Sequence, residues 1–447
     1  MAILNWSVHS SIAGAVWPAV PQRDAGAALA LLYQLDRTER LPADRLAALQ
    51  RAQLALLLTH ARASSPFYRE HWSGKKEFTE LPLLSRRHLQ DDYDRIKSTE
   101  LPPSHGRTAE TRTSGSTGAP VRVLKTELMS LFWKAFTLRE HAWHGRDLSG
   151  KLAVVRHGIK GSSQTNWGPA TKGLLATGPA VGVNIRTEVG EQLDWLLAEQ
   201  PRYLLTYPSN IAELARISLE RGVRIKSLTE VRSFGELLPA ETRALCRQAW
   251  DVPVIDFYSA DEVGYMALQC PTGDHYHVQS EGVLLEVLDD NGKPCAPGEV
   301  GRVIVTSLHN FATPLVRYDI GDYAEVGHPC SCGRSLPVLT RIIGRARNTL
   351  IAPDGKRYYP VFGLRNQDEV AKIRQYQFVQ KARDHIEIRL VVAAPLEPAE
   401  QKALEKLILT KVPEGIRLSF TYPERLERSS GGKFEDFISE IAGKPAP

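Results

Sequence analysis

The chain has 447 residues, of which 43% are apolar and 24% charged, and its formal net charge is +5. This composition is typical of a soluble globular protein with at least two cores, and its five cysteines exclude a disulfide scaffold. The positive charge is spread without a basic run, which argues against a nucleic-acid partner. No stretch approaches the ~20 apolar residues of a membrane span. The N-terminal residues lack a basic leader followed by an uninterrupted apolar run, so we expect no signal peptide and predict a cytoplasmic protein without membrane association.

The hydrophobic pattern changes along the chain from helical to strand-like. Leu46, Leu49 and Leu56 recur at helical spacing within the Ala- and Leu-rich residues 27–60, so we expect the chain to open with helices. Helical or turn-rich stretches such as residues 239–250 then separate short β-type runs. These runs are residues 151–155, 202–207, 282–288 and 301–307. The alternation predicts a large α/β or α+β body.

The C-terminal part reads as a separate small unit. The periodic pattern breaks into Gly, Arg, Pro and Asp over residues 342–360. Beyond this break the pattern predicts a strand, a helix and a strand, over residues 386–392, 398–410 and 416–422. We therefore place a domain boundary near Gly344, with an N-terminal domain over residues 1–344 and a C-terminal α+β domain over residues 345–447.

Residues 111–120, TRTSGSTGAP, combine glycines and hydroxyl side chains in a run that ends at a proline. Backbone N–H groups without bulky side chains form a concavity that suits phosphate oxygens, so we interpret the run as a phosphate-binding loop. A plain surface loop is the alternative for such a run taken alone. A P-loop is excluded because it needs a lysine where this chain has Ala119. The candidate phosphate-binding residues are Ser114, Gly115, Ser116, Thr117 and Gly118.

At this loop the chain resembles the acyl-adenylate-forming superfamily of ligases and adenylation domains, whose signature reads T-S-G-S/T-T-G-x-P. Thr113 to Pro120 match that signature throughout. Residues 233–239, SFGELLP, resemble the superfamily's G-G-E-x-L turn, with Phe234 in place of the first glycine. The resemblance implies that Gly235 and Glu236 lie at the adenine.

Two further motifs follow in the order that the superfamily has. Residues 256–264, DFYSADEVG, resemble D-x-Y-G-x-T/S-E, which implies that Tyr258 stacks on adenine and that Glu262 holds Mg²⁺ through its oxygens. Residues 314–322, PLVRYDIGD, resemble R-Y-R-T-G-D, which implies that Asp322 accepts hydrogen bonds from both ribose hydroxyls. Taken alone, a Tyr and a Glu four residues apart would also suit a helix face.

The last two motifs concern the hinge and the C-terminal lysine. Residues 342–348, IIGRARN, resemble the hinge element, with Arg345 near the nucleotide and Arg347 where the superfamily has an acidic residue or lysine. Residues 428–433, RSSGGK, align without gaps to R-T-x-S-G-K, which makes Lys433 the candidate for adenylation. Such an ammonium would bridge the carboxylate and the α-phosphate. The C-terminal domain is then expected to be mobile.

The resemblance also suggests a branch of the superfamily and a metal site. Residues 60–72, 81–89 and 207–215 look like the phenylacetate-CoA ligase branch. Three thiols and one imidazole form a tetrahedral zinc set, and some members of this branch carry a metal between matching loops. The candidate ligands are Cys270, His277, Cys330 and Cys332, with His275 and His328 as rival ligands and reduced buried thiols as the alternative.

These observations predict an acyl-CoA ligase. The candidate catalytic residues are Lys433, Thr117 and Glu262. The expected substrates are ATP with Mg²⁺, an aromatic or similarly bulky carboxylic acid, and coenzyme A. Zn²⁺ is expected as a structural ion, and a homodimer is compatible with the sequence. One alternative keeps the acyl-adenylate and changes the acceptor to an amine or to the phosphopantetheine of a carrier protein. Another is a nucleotide-binding regulator without catalysis, which Phe234, Arg347 and Asp436 keep open because they depart from the superfamily's pattern.

Overall fold

The computed structural model describes residues 6–75, 77–112, 120–345, 350–358, 373–392, 394–429 and 433–441. The helices are α1 (Arg23–Thr38), α2 (Ala43–Ser64), α3 (Pro66–His71), α4 (Arg86–Asp91), α5 (Tyr93–Ile96), α6 (Glu127–Trp143), α7 (Val189–Glu199), α8 (Pro208–Arg221), α9 (Ala240–Trp250) and α10 (Pro398–Leu409), with single 3₁₀ turns at Phe78–Glu80 and Pro103–His105.

The strands form one large sheet, two small hairpins and one four-stranded sheet. They are β1 (Thr108–Arg112), β2 (Arg122–Thr126), β3 (Leu152–Arg156), β4 (Ser162–Gln164), β5 (Ala180–Asn184), β6 (Tyr203–Thr206), β7 (Glu230–Ser233), β8 (Val254–Ala260), β9 (Gly264–Gln269), β10 (Tyr276–Val278), β11 (Val283–Leu288), β12 (Val300–Ser307), β13 (Tyr318–Val326), β14 (Val338–Arg345), β15 (Leu350–Ile351), β16 (Arg357–Tyr358), β17 (Ile373–Ala382), β18 (His385–Val392), β19 (Arg417–Thr421) and β20 (Phe437–Ser439).

The large sheet has twelve strands in the order β11-β12-β13-β14-β10-β9-β8-β7-β6-β3-β5-β4. Neighbouring strands from β5 to β8 run parallel, whereas every pair from β8 to β11 is antiparallel. The parallel half is connected by α7, α8 and α9, as strands that run in one direction require a crossover element. The predicted α/β fold class is confirmed.

Helix ends in the parallel half follow local sequence. Pro208 stands in the first turn of α8, where its missing N–H costs no hydrogen bond, and Gly222 ends the helix at a φ of 64°. The apolar side of α8 buries Ile211, Leu214 and Ala215 against the strands. The helix therefore holds the end of β6 in place.

The predicted opening helices are confirmed, and the three leucines that indicated α2 do not all lie on its buried face. Leu46 is buried, whereas Leu49 and Leu56 are 56% and 61% exposed. The side that packs on the core continues from Leu46 through Leu57 and Ala61, which lie 11 and 15 residues further on and so return to the same side of a helix with 3.6 residues per turn. The leucine content alone did not distinguish the two faces.

The C-terminal sheet has the strand order β19-β18-β17-β20 and packs with α10 around its own apolar cluster. Phe378, Ile388 and Leu404 are fully buried in this cluster. The predicted strand, helix and strand in this region correspond to β18, α10 and β19. The boundary between residues 344 and 345 stays a prediction.

Among the described residues, every helix is too short or too polar to cross a lipid bilayer.

Candidate active site

The ends of three neighbouring strands bring several motifs to one edge of the large sheet. Strands β6, β7 and β8 are adjacent and parallel. In sheets of this kind, ligands bind beyond the carboxyl ends of the strands. Tyr207 follows β6, Gly235 follows β7 and Glu262 follows β8. We refer to this end of the sheet, marked by these three residues, as the ligand edge.

The predicted adenine turn forms a tight backbone bend at the ligand edge. Gly235 has a φ of 76°, a conformation that favours glycine. A Cβ at this position would lie 3.4 Å from Cε1 of Tyr207 and 3.4 Å from Cε of Lys433. The ring of Phe234 packs on that of Tyr207 with centroids 4.7 Å apart, so the departure from the superfamily's double glycine is accommodated by aromatic packing.

Glu262, the predicted magnesium ligand, is buried beside a tyrosine and a lysine. Its side chain accepts a 3.3 Å hydrogen bond from the hydroxyl of Tyr318, and the residue is 4% exposed. Burial lowers the pKa of Lys125, while Asp261 and Glu262 act in the opposite direction. The carboxylate thus lies in an interior where a cation would be attracted, and its oxygens are the donors that Mg²⁺ prefers.

Asp322 and Arg345, the predicted nucleotide contacts, are paired across strands. Asp322 on β13 is opposite Arg345 on β14, and Nε of the arginine lies 3.6 Å from Oδ1 of the aspartate. The Tyr258 hydroxyl donates a 2.7 Å hydrogen bond to Oδ2. Burial raises the pKa of Tyr258, and the Asp322 charge raises it further, so the hydroxyl remains a donor. The tyrosine is only 8% exposed, and its stacking on adenine stays a prediction.

Lys433 reaches the ligand edge from the C-terminal part of the chain. Its backbone N–H donates to Oγ of Ser429 at 3.1 Å, and its carbonyl accepts the N–H of Ser429 at 2.8 Å. The next N–H, that of Phe434, donates to Oε1 of Glu236 at 2.5 Å. These bonds hold the lysine backbone at the adenine turn.

Some predicted site residues lie outside the described residues. They are Ser114, Gly115, Ser116, Thr117 and Gly118 of the phosphate loop, and Arg347 of the hinge. The roles assigned to them stay predictions.

The four predicted zinc ligands are brought together by the antiparallel half of the sheet. β10 lies between β9 and β14. The loop between β9 and β10 contacts the loop before β14, where Cys270 and His275 lie beside Cys330. The ligand atoms of Cys270, His277, Cys330 and Cys332 lie within 4.8 Å of one another. Among the described residues this is the group of Cys, His, Asp and Glu side chains that could hold a metal ion.

The spacing within this cluster fits a tetrahedral zinc site. Sulfur ligands about 2.3 Å from the ion would lie about 3.8 Å from one another, and Sγ of Cys270 is 3.9 Å from Sγ of Cys330. Nε2 of His277 is 3.3 Å from Sγ of Cys332, while Nδ1 lies 3.4 Å from the Leu336 carbonyl oxygen. Metal-binding histidines commonly donate a hydrogen bond from their second ring nitrogen to a backbone carbonyl.

Burial lowers the pKa of His277 to about 4, so its imidazole is neutral at pH 7 and able to bind a metal. His275 lies beside the cluster, with Nε2 3.0 Å from Sγ of Cys330. His328 is exposed and is not part of the cluster. The geometry therefore favours His277 over both rival histidines as the fourth ligand.

An aromatic row connects the ligand edge with a cavity. Beyond the Tyr207–Phe234 pair, the rings of Phe234 and Phe257 are stacked with centroids 6.3 Å apart, and Phe257 lies 5.3 Å from Tyr265. Tyr265 lines a cavity of about 310 Å³ between the β1–β2 hairpin, α6 and β9. Other residues that line it are Lys125, Met129, Phe132, Trp133, Phe136, Val263 and His309.

The sequence motifs missed several side chains that the fold places at the site. Lys125 and Tyr318 approach Glu262 from β2 and β13, and Arg428 and Ser209 meet at the adenine turn. Arg428 begins the RSSGGK motif, so its presence was noted without its contact. Tyr318 likewise lies within the PLVRYDIGD motif, whereas Lys125 has no local signal, because its partner Glu262 is more than 100 positions away in the chain.

No family model matches the chain, but comparison with known proteins finds relatives that are similar over most of its length. Phenylacetate-coenzyme A ligase of Thermus thermophilus is 26% identical over 458 residues, covering 90% of this chain and 98% of that protein. Phenylacetate-coenzyme A ligase of Escherichia coli is also 26% identical, covering 79% of this chain and 83% of its own. The chain therefore matches these ligases over most of their length.

The same fold is found in a solved ligase. The structure of 2-hydroxyisobutyryl-CoA ligase in its postadenylation state aligns with a TM-score of 0.72 at 19% identity, covering 91% of this chain and 92% of that one. The same ligase in its thioesterification state aligns with a TM-score of 0.58. The chain therefore aligns better with the first of these two structures than with the second.

The fold and the order of motifs at the ligand edge resemble those of acyl-adenylate-forming ligases. Over most of its length the chain is similar to phenylacetate-coenzyme A ligases in particular.

Proposed function

We propose that the chain uses ATP to activate a carboxylic acid as an acyl-adenylate and then transfers the acyl group to coenzyme A. The observation that carries this proposal is the position of Lys433 against Gly235 at the ligand edge. A lysine from the far end of the sequence has no structural need to meet the predicted adenine turn. An ammonium there can neutralise charge that develops between a carboxylate and the α-phosphate.

The reaction would run in two steps. A carboxylate oxygen attacks the α-phosphorus, the bond to the β-phosphate oxygen breaks, and pyrophosphate leaves. The thiol of coenzyme A then attacks the acyl carbon, the carbon–oxygen bond to AMP breaks, and the thiol proton passes to solvent. In both steps the protein positions groups and screens charge. We propose that residues 345–447 rotate between the steps and so withdraw Lys433.

Three side chains would hold the nucleotide. Glu262 would bind Mg²⁺, which neutralises phosphate charge, and Asp322 would accept from the ribose hydroxyls. Burial lowers the pKa of Arg345, but the charges of Asp322 and Glu262 outweigh this effect and raise it above its ordinary value. Arg345 therefore stays cationic beside the predicted nucleotide site.

Asp322→Ala is expected to weaken ATP binding by about ten- to a hundredfold, because hydrogen bonds to a charged group contribute about 1.5–3 kcal/mol. Asp322→Asn keeps an acceptor for the Tyr258 hydroxyl and should lose less. Isothermal titration with ATP measures both affinities. Unchanged ATP affinity in the alanine variant would contradict the assignment to the ribose.

The aromatic row supports an aromatic or similarly bulky acid. Flat rings pack well against other rings in offset or edge-to-face contacts. Tyr207, Phe234, Phe257 and Tyr265 provide such faces from the ligand edge to the cavity. A panel of carboxylic acids assayed by pyrophosphate release is expected to show aryl acids turning over at least about tenfold better than acetate, from the apolar area they bury. Equal turnover of both classes would contradict this acid class.

ATP–pyrophosphate exchange in the presence of the acid tests the first step, and acceptor-dependent AMP release tests the second. We expect ATP–pyrophosphate exchange that depends on the acid, and AMP release that depends on coenzyme A. Release that requires an amine or a phosphopantetheine carrier instead would assign another acceptor. ATP binding without exchange for every acid would leave a nucleotide-binding regulator.

We also propose that Cys270, His277, Cys330 and Cys332 hold one structural Zn²⁺. Four protein ligands leave no open position for water or substrate, so the ion would fasten two loops rather than take part in the reaction. Substrates of the ATP and coenzyme A type and five free thiols support the predicted cytoplasmic address.

A further inference from the structure

Glu236 at the ligand edge is bound from two distant parts of the chain. Its Oε2 accepts the N–H of Ser209 at 3.0 Å, in the first turn of α8. Its Oε1 accepts the N–H of Phe434, directly after Lys433. The side chain is 4% exposed, and both carboxylate oxygens are used by protein donors. The sequence motif had assigned this residue to the adenine alone.

Arg428 also contacts Glu236 and Ser209, and it lies five residues before Lys433, whereas Phe434 directly follows the lysine. Its Nη1 donates to Oγ of Ser209 at 2.7 Å, and the same nitrogen lies 3.5 Å from Oε1 of Glu236. Residues 428 and 434 flank Lys433, so both ends of the segment that carries the lysine are held at one buried carboxylate. Ser429 and Lys433 are joined to each other by two hydrogen bonds.

The buried charge of Glu236 is compensated only while the C-terminal residues Arg428 and Phe434 lie against it. Burial raises the pKa of Glu236, and Arg428 is the first of the groups that oppose this effect. A carboxylate that is buried without a counter-charge is strongly disfavoured, and an ion pair is stable in such a place only with good hydrogen bonds. If the C-terminal part moved away, Glu236 would lose both Arg428 and the Phe434 N–H.

We propose that Glu236 and Arg428 are a docking pair that positions Lys433 for the adenylation step and separates before thioester formation. This inference rests on the proposed function and assigns Glu236 as a positioning residue, since it acts through Lys433. Disruption of the pair should slow the first step without slowing the second. A nucleotide contact would instead change ATP affinity, and a purely structural residue would affect both steps together.

The test uses the full chain with Glu236→Gln and Arg428→Met. Each variant is expected to lower the kcat of ATP–pyrophosphate exchange by about ten- to a hundredfold, the range for hydrogen bonds to a charged group. The KM for ATP should change less than threefold, a range too small for the loss of a direct contact. Thiolysis of preformed acyl-adenylate by coenzyme A should proceed at the wild-type rate or faster. Arg425→Met, on the same segment but 82% exposed, is the control and should match wild type in every assay.

Hydrogen–deuterium exchange provides a readout that does not depend on catalysis. Peptides that contain Phe434 should exchange faster in Glu236→Gln than in wild type or in Arg425→Met. Unchanged exchange at these peptides, parallel loss of both half-reactions, or a change confined to the KM for ATP would each overturn the docking pair. If hydrogen–deuterium exchange at Phe434 is faster in Glu236→Gln as expected, but the wild-type protein activates no acid, the proposed function would be rejected and the docking contact retained.

Discussion

Replacement of Lys433 by alanine is expected to lower ATP–pyrophosphate exchange by about 10²–10³-fold, the loss typical of one removed charge-stabilising group. Lys433 lies against the adenine turn at Gly235, where its ammonium would neutralise charge as pyrophosphate departs. Because that charge develops only in the transition state, ATP affinity should be nearly unchanged. Exchange kinetics and isothermal titration with ATP measure the two quantities separately.

Two controls make the Lys433 experiment specific. Lys402→Ala removes an exposed lysine from α10 and should leave exchange at the wild-type rate. Thiolysis of preformed acyl-adenylate should persist in Lys433→Ala, because the proposed second step takes place with this lysine withdrawn. If exchange were equal in Lys433→Ala and wild type, the lysine would be a solvated terminal residue and its assignment would be wrong.

The strands of the large sheet were predictable where burial dictates the sequence. The runs at residues 151–155, 202–207 and 301–307 correspond to β3, β6 and β12 within one residue at each end. Such strands lie inside the sheet and need apolar, β-branched residues on their buried faces. The order of strands was not predictable, because pairing between β10 and β14 depends on contacts about 60 positions apart.

Helix faces were harder to predict than helix positions. Helix α2 was expected from its leucines, yet Leu49 and Leu56 face away from the core while Leu46 and Leu57 pack into it. Leucine favours a helix on either face, so the buried side is decided by what packs against it. For α2 that partner is the large sheet, whose strands are far from the helix in the sequence. A local stretch of sequence therefore does not reveal which face of the helix is buried.

The candidate site shows the same division between local and distant information. Gly235 and Glu262 lie just beyond β7 and β8, and Asp322 lies within β13. The motifs marked all three because the local sequence around each is distinctive. The contact of Arg428 with Glu236 joins residues 192 positions apart. No local pattern encodes such a contact, although both residues belong to motifs that were identified.

The zinc cluster combined both kinds of information. The pairs of Cys and His at residues 270–277 and 330–332 are visible in the sequence, but their meeting depends on β10 pairing with both β9 and β14. Arg334, in the same loop as Cys330 and Cys332, lies 3.1 Å from Glu39, which directly follows α1. The cluster therefore lies close to the N-terminal helices, and loss of an ion bound there should lower stability.

Cys332→Ser is expected to lose the metal and to unfold at a lower temperature. Wild-type protein purified without chelator should contain about one zinc per chain, since Cys270, His277, Cys330 and Cys332 supply a closed tetrahedral set. An ion that binds only the native state contributes about 4 kcal/mol when present at a thousand times its dissociation constant. Cys295→Ser changes a free cysteine outside the cluster and should keep both zinc and melting temperature.

Elemental analysis and thermal melting then separate the ligands from their neighbours. His277→Ala should lose zinc as Cys332→Ser does, whereas His275→Ala should retain it, because only His277 belongs to the set of ligand atoms within 4.8 Å. ATP–pyrophosphate exchange well below the melting temperature should survive in every zinc-free variant, since a four-ligand site leaves no open position for catalysis. Wild-type protein without zinc would refute the site and return these thiols to the role of ordinary packing residues.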